Sequence, residues 1–165
     1  MEENIYKSPE SELNVNSNDE PELATRGRRL WASMIDGFTI AIVTIPAMYF
    51  TGGFDGISEG VKPAFTYTLL FGLLGIAIFF MINLKSLKAT GQTLGKKVAG
   101  IKVVTQDGEL PTLRKHFLKR YSVYFVPGQI PVVGQILSTL NILFIFGKNK
   151  RCVHDIAAGT KVVAC

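Results

Sequence analysis

Apolar residues along this chain are gathered into three long stretches that are almost free of charge. Residues 30–50 contain a single charged residue, Asp36, and residues 64–84 contain none. A helix that crosses the hydrocarbon core of a bilayer needs about 20 such residues. A core helix of a soluble protein would instead show polar positions every three or four residues. The pattern therefore predicts two transmembrane helices.

The third stretch, residues 121–146, is uncharged but is interrupted by Pro127, Gly128, Pro131 and Gly134. It could cross the membrane once, or it could fold as two short helices in a re-entrant or tilted hairpin. Broken helices are tolerated at membrane depth where they are buried in protein or line a cavity. Cations in the tail that follows favour a cytoplasmic C-terminus, and therefore the broken hairpin.

The polar segments contain local structure of their own. In the loop 85–120, the β-branched sequence IKVV predicts a strand, Asp107–Gly108 is a turn signal, and Thr112 is a candidate N-cap for a following helix. The sequence TKVVAC near the C-terminus predicts a second short strand. We hypothesise that the two strands pair beside the membrane in a small β-hairpin-like element.

Charge is divided unevenly along the chain. The formal net charge is +5, but residues 1–25 hold seven acids against Lys7, so the remainder is strongly basic. The first 25 residues are also poor in apolar side chains, and we predict a disordered acidic tail there. Cations flank the apolar stretches, which is typical of segments that face the cytoplasm and of contacts with anionic headgroups rather than nucleic acid.

These patterns together predict an all-α multi-pass membrane protein of the cell (inner) membrane. It would have two clear transmembrane helices, a third Pro/Gly-broken apolar segment and a short cytoplasmic β-hairpin-like element. The N-terminus and the C-terminus would lie in the cytoplasm, and residues 51–63 would lie outside. No arrangement of a nucleophile with a base, of paired acids or of metal ligands indicates an enzyme, a cofactor or a metal site.

Asp36 is the residue of greatest functional interest, because an ionisable group within a membrane segment is costly and usually functional. Arg29 lies on the same helix face but about 10 Å away along the axis, too far for an easy ion pair. Asp36 therefore needs a cation from elsewhere in the chain, or a bound ion. Arg120 lies within the apolar stripe of its own helix, and its acceptor would be Asp36 or Asp155.

His154 stands next to Asp155 in the sequence. An imidazole titrates near neutral pH, so we considered a role in proton exchange. The ordinary alternative is a solvent-exposed loop histidine without a ligand. Cys152 and Cys165 are too few for a disulfide framework, and their spacing does not indicate a metal site.

Three blocks of sequence resemble the signature blocks of the RDD family of membrane proteins. They are RRLWASMIDG, GQTLGKKVAGIKVVTQDGELPTLRKHFLKR and CVHDIAAGTKVV. The arginine and two aspartates that give the family its name match Arg29, Asp36 and Asp155, and Arg120 matches a further arginine. The resemblance implies an RDD-like transmembrane domain over residues 26–165 with a transport role, and cation/proton exchange has been proposed for some members.

Two functional hypotheses follow from this resemblance and from the charged residues. In the first, the protein is a transporter in which Asp36 binds a proton or a monovalent cation, with Arg29, Arg120 and Asp155 gating access. So few spans would then require a homo-oligomer or an additional membrane subunit. In the second, the Arg/Asp network fixes helix packing, and cytoplasmic segments bind a partner.

Overall fold

The computed structural model describes residues 21–131, 133–147 and 151–165, and the predicted tail at residues 1–20 lies outside them. The elements are α1 (Arg26–Phe50), α2 (Phe65–Thr90), α3 (Leu94–Val98), β1 (Ile101–Thr105), α4 (Leu118–Phe125), α5 (Val133–Leu143), α6 (Val153–Ala157) and β2 (Thr160–Ala164). Single 3-10 turns lie at Ile57–Glu59, Pro127–Gln129 and Phe144–Phe146, and a π-helical turn at Leu113–Phe117 leads into α4.

Helices α1 and α2 form an antiparallel pair, and both are long and apolar enough to cross a membrane. Only 11% of the apolar window of each helix is buried inside the protein. Large apolar side chains on them, such as Phe38, Phe50 and Met81, are more than two-thirds exposed. Such exposure is unfavourable in water and favourable in hydrocarbon. The two long apolar helices predicted from the sequence are therefore confirmed.

Both long helices extend beyond the apolar stretches at the same end of the pair. Helix α1 begins at Arg26 because the Thr25 hydroxyl accepts a hydrogen bond from the backbone N–H of Arg28 at 3.4 Å. Helix α2 ends at Gly91, whose φ of +71° is a left-handed conformation that glycine adopts readily. A Cβ at this position would also lie 2.5 Å from the carbonyl oxygen of Val103. The polar part of the protein packs at this end.

The two predicted strands pair with each other. Strands β1 and β2 are antiparallel, with Val103 opposite Val162. The sequence analysis predicted a hairpin-like element. The strands are not a hairpin, because α4, α5 and α6 lie between them in the chain. The opposite edge of β2 is also occupied, since the Ala24 N–H donates to the Val162 carbonyl at 3.0 Å and Leu23 bridges Val163. Leu23 and Ala24, which the sequence analysis placed in the disordered tail, thus pair with the sheet.

The third apolar stretch is broken, as the prolines and glycines indicated. Helix α4 is followed by the 3-10 turn at Pro127–Gln129, and α5 then packs back onto that turn. Gly134 allows this close approach, because a Cβ there would lie 1.7 Å from the Pro127 carbonyl oxygen. Among the described residues, the stretch 121–146 is therefore divided between two short helices rather than forming one long helix.

The buried core lies at one end of the helix pair, between the first turns of α1, the last turns of α2, the sheet and α4. Phe117, Leu87 and Ile101 are fully buried there. Aromatic rings extend this core toward the membrane helices. The Phe79 ring centroid lies 5.0 Å from that of Tyr121 and 5.1 Å from that of Phe125. The core fixes α4 against α2 and so places Arg120 beside α1.

Candidate functional site

Asp155 is fully buried and binds two arginines from distant parts of the chain. It lies in the first turn of α6, where Arg29 from α1 pairs with its Oδ2 and Arg120 from α4 pairs with its Oδ1. The backbone N–H of Cys152 also donates to Oδ2, at 3.1 Å. Arg120 is only 2% exposed, and it also donates to the Thr160 hydroxyl at 2.8 Å. The carboxylate therefore joins α1, α4 and α6, and Arg120 extends the cluster to β2.

The two guanidinium groups determine the ionisation of Asp155. Burial alone would raise the pKa of this carboxyl, but the adjacent Arg120 and Arg29 outweigh burial and hold the pKa below its usual range. Asp155 is therefore ionised at physiological pH. Two cations share one anion, so the cluster carries one excess positive charge.

Asp36 is buried in a separate set of contacts, supplied by α3 and its N-cap. The Thr93 hydroxyl donates to Oδ2 at 2.5 Å, and the Gly95 N–H donates to Oδ1 at 2.8 Å. The ammonium of Lys96 lies 3.8 Å from Oδ2. The cation beside Asp36 thus comes from a part of the chain that is distant in sequence, as the burial of Asp36 required. It is Lys96 in α3, which the sequence analysis did not select. Arg29 and Arg120 both pair with Asp155 instead.

Lys96 is held in an environment that weakens its positive charge. Burial and the nearby Arg120 lower the pKa of Lys96 to about 8, against the opposing attraction of Asp36. The Lys96 ammonium also donates to the Thr93 hydroxyl at 3.3 Å. At pH 7 Lys96 is therefore protonated, but its ammonium holds the proton less strongly than that of an exposed lysine.

His154 is buried and does not lie in an exposed loop, so the ordinary alternative considered for it is wrong. Its backbone N–H and its ring Nδ1 both contact the Asn141 side-chain oxygen, at 3.2 and 3.0 Å. Burial, with Arg120 nearby, lowers the pKa of His154 to about 3. The ring is consequently neutral near pH 7, which disfavours the proton exchange that we considered.

A cavity of about 330 Å³ lies between these charged groups and the membrane helices. Asp36, Lys96, Arg29 and Arg120 all contribute to its lining. The lining also includes apolar residues from α1, α2 and α4, namely Ile40, Phe79 and Phe125. The site therefore combines a charged wall with an apolar one, which is the usual construction of a small-molecule site.

The arrangement agrees with a comparison of the sequence with known families. The model of the RDD family matches residues 23–159, which include every charged residue of the site. The chain belongs to the RDD family. A relative, "Uncharacterized protein YxaI" of Bacillus subtilis (strain 168), is 35% identical over 100 residues, a match that covers 61% of this chain and 60% of the relative's length. No solved structure matches the chain.

The RDD residues of this chain fall into two groups rather than one network. Arg29, Arg120 and Asp155 form one cluster, and Asp36 belongs to the other, with Thr93, Gly95 and Lys96. The sequence analysis missed this second group because it considered only arginines, Arg29 and Arg120, as cations for Asp36. Thr93 followed by a short helix is an N-cap signal, and free N–H groups at a helix start bind carboxylates. That signal could have identified the partner of Asp36.

The RDD protein also brings Cys152, His154 and Asp155 together, with candidate ligand atoms within 4.8 Å of one another. The donor set does not suit a divalent metal ion. Both oxygens of Asp155 are bound to guanidinium groups, and burial raises the pKa of the Cys152 thiol, which disfavours the thiolate. A metal ion would have to displace two arginines. The prediction that no metal is bound remains a prediction.

Proposed function

We propose that this chain is a multi-pass membrane protein that exchanges a monovalent cation for a proton at the Asp36–Lys96 pair. The observation that carries the proposal is a lysine with its pKa lowered to about 8, lying 3.8 Å from a buried carboxylate on a cavity wall. A buried carboxylate with a titratable partner is the group that couples ion binding to proton release.

The exchange keeps the charge at the site constant. A cation that enters the cavity binds the Asp36 carboxylate and competes with the Lys96 ammonium for it. Lys96 then gives up its proton to solvent, so that one positive charge replaces another. When the cation leaves, Lys96 takes up a proton and returns to Asp36. Two candidate spans provide little surface for a transport pathway, and we therefore propose a homo-oligomer or an additional membrane subunit.

Proton flux in liposomes tests this proposal. Wild-type protein under an imposed pH gradient should move protons when sodium, lithium or potassium is added. Asp36→Asn should abolish the movement, and Lys96→Gln should uncouple it from the cation. Asp55→Asn and Lys97→Gln are the matched controls, because each removes the same charge at an exposed position outside the cavity. A wild type that is silent to all three cations would exclude cation/proton exchange.

A second function, an architectural or assembly role, is supported by the burial of Asp155 between two arginines. Removing one partner of a buried ion pair costs about 3–5 kcal/mol, because the remaining charges stay buried. Asp155→Asn should therefore lower the thermal stability of the purified protein strongly, with exposed Asp107→Asn as the control. If Asp36→Asn also unfolds the protein, the architectural role applies to both groups and the exchange role fails.

A further inference from the structure

The charged residues that line the cavity beside Asp36 are mostly basic. Among the described residues, its lining includes Arg26, Arg29, Lys96 and Arg120 but only one acid, Asp36. Asp155 is not among the lining residues and lies behind the wall, paired with Arg29 and Arg120. A lining of this composition attracts an anion.

The mouth of the cavity is both basic and apolar. Arg26, Leu30 and Phe146 line it and are exposed, Leu30 to 54% and Phe146 to 65%. The Arg26 guanidinium lies 5.8 Å from the centre of the Phe146 ring and donates to the Phe146 carbonyl at 3.3 Å. These residues lie at the start of α1 and after α5, where the apolar stretches meet polar chain. A phospholipid presents the same combination of a charged head and apolar chains at a membrane surface.

A second observation points to a ligand inside the cavity. The Tyr121 hydroxyl is buried at the cavity wall and has no hydrogen-bond partner within the described part of the chain. A buried hydroxyl without a partner is costly, and a ligand oxygen would satisfy it. Tyr121 is only 5% exposed, so its environment is part of the folded core and not a flexible surface.

We propose that the cavity holds the phosphate head of an acidic phospholipid, with Arg26 at its mouth, Arg29 and Arg120 within, and the Tyr121 hydroxyl as a hydrogen-bond donor. At about 330 Å³ the cavity is at the lower end of the range for small-molecule sites, so it takes the head and leaves the acyl chains outside. The chains would lie against Leu30 and Phe146 in the membrane.

Lipid titration of the full chain, followed by native mass spectrometry in detergent, tests the proposal. Phosphatidylglycerol should bind as one tight copy per protomer and phosphatidylcholine should not. Arg26→Gln should weaken phosphatidylglycerol binding about fivefold, the effect of one basic residue near an anionic membrane surface. Arg28→Gln is the matched control, because Arg28 is also exposed in the first turn of α1 but does not line the cavity.

Tyr121→Phe provides a variant that changes no charge. It should weaken phosphatidylglycerol binding roughly tenfold, as expected for a lost hydrogen bond to a charged group. Tyr67→Phe, at the opposite end of the helix pair, removes a hydroxyl bonded to Thr51 and should leave binding unchanged. Equal binding of phosphatidylcholine, or an equal loss in Arg26→Gln and Arg28→Gln, would overturn the proposal.

Inorganic phosphate separates the two sources of a phosphate group. If phosphate alone, at the same concentration, protected the protein from thermal unfolding as well as the lipid does, the assignment to a lipid would be overturned. The readout is binding and not flux, so this proposal can fail while cation exchange stands. Cation exchange can likewise fail while the lipid still binds.

Discussion

At the scale of single residues, His154 illustrates how burial decides the state of an ionisable group. The residue is 8% exposed, its ring contacts Asn141 through Nδ1, and the ring centroid lies 5.3 Å from that of Tyr124. Arg120 and Arg29 form ion pairs with the adjacent Asp155, and their positive charges disfavour a protonated ring. A histidine that cannot gain its proton in the folded protein makes folding sensitive to acid.

The first prediction concerns this sensitivity to pH. The pKa of His154 is lowered to about 3 in the folded protein, so the unfolded chain binds more protons between pH 6.5 and 3. Stability should therefore fall as the pH falls through that window, on the order of 1 kcal/mol per pH unit. Thermal unfolding of wild type and His154→Gln between pH 7 and pH 4 measures the difference, and the variant should lose less stability.

His116, the other of the two histidines in the chain, offers a control for that experiment. His116→Gln removes an imidazole from the π-helical turn before α4, so its profile shows what the loss of a histidine elsewhere in the chain does. Parallel unfolding profiles for wild type and His154→Gln would show that the buried ring does not govern acid stability.

At the scale of elements, the packing of α3 on α1 decides the surroundings of Asp36. The two helices touch at Gly95, where a Cβ would lie 2.1 Å from the carbonyl oxygen of Ala32. The same glycine presents its N–H to Asp36 at 2.8 Å. A backbone that approaches another helix this closely leaves no space for a side chain. The absence of a side chain at position 95 is therefore a condition for the site.

The second prediction is that Gly95→Ala disrupts this contact. Overpacking costs about 1–3 kcal/mol, and here the clash is with backbone, which cannot move aside as a side chain can. The melting temperature in detergent should fall, and size-exclusion chromatography should show a loss of folded protein. Gly37→Ala in α1 has no atom within 4 Å of its added Cβ and should behave as the wild type. If both variants melt alike, the close approach is not important for stability.

The elements themselves could be predicted from the sequence because their signals are local. The charge-free stretches identified α1 and α2, the β-branched sequences identified β1 and β2, and proline identified the break after α4. The partners of the charged residues could not be predicted in the same way. Thr93 and Asp36 are 57 positions apart, and Arg29 and Asp155 are 126 apart. Sequence spacing along one helix does not determine contacts at that distance.

At the scale of the whole molecule, the sheet constrains how the chain is arranged about a membrane. Strand β2 lies between β1, which follows α2, and residues 22–24, which precede α1. All three segments therefore lie on one side of the helix pair, and residues 51–64 lie at the other. The cytoplasmic orientation predicted from the basic flanks would place the sheet inside the cell.

The third prediction tests that orientation with the two native cysteines. Cys165 is exposed and Cys152 is buried, so a membrane-impermeant maleimide should react with Cys165 only after the cell membrane is opened. Ser58→Cys in a Cys165→Ser background should react in intact cells, because Ser58 is exposed in the opposite turn. Labelling of Cys165 from outside intact cells would reverse the orientation.

The late position of Asp155 in the chain has a consequence for how the protein is made. A ribosome adds about 5–20 residues per second, so Arg29 leaves the exit tunnel roughly 6–25 seconds before the aspartate 126 positions later. During that interval α1 and α2 can enter the bilayer, but Asp155 and strand β2 have not yet been synthesised. A nascent chain halted before position 155 would lack the carboxylate that joins Arg29 to Arg120, so α1 and α4 could not be held together in this way.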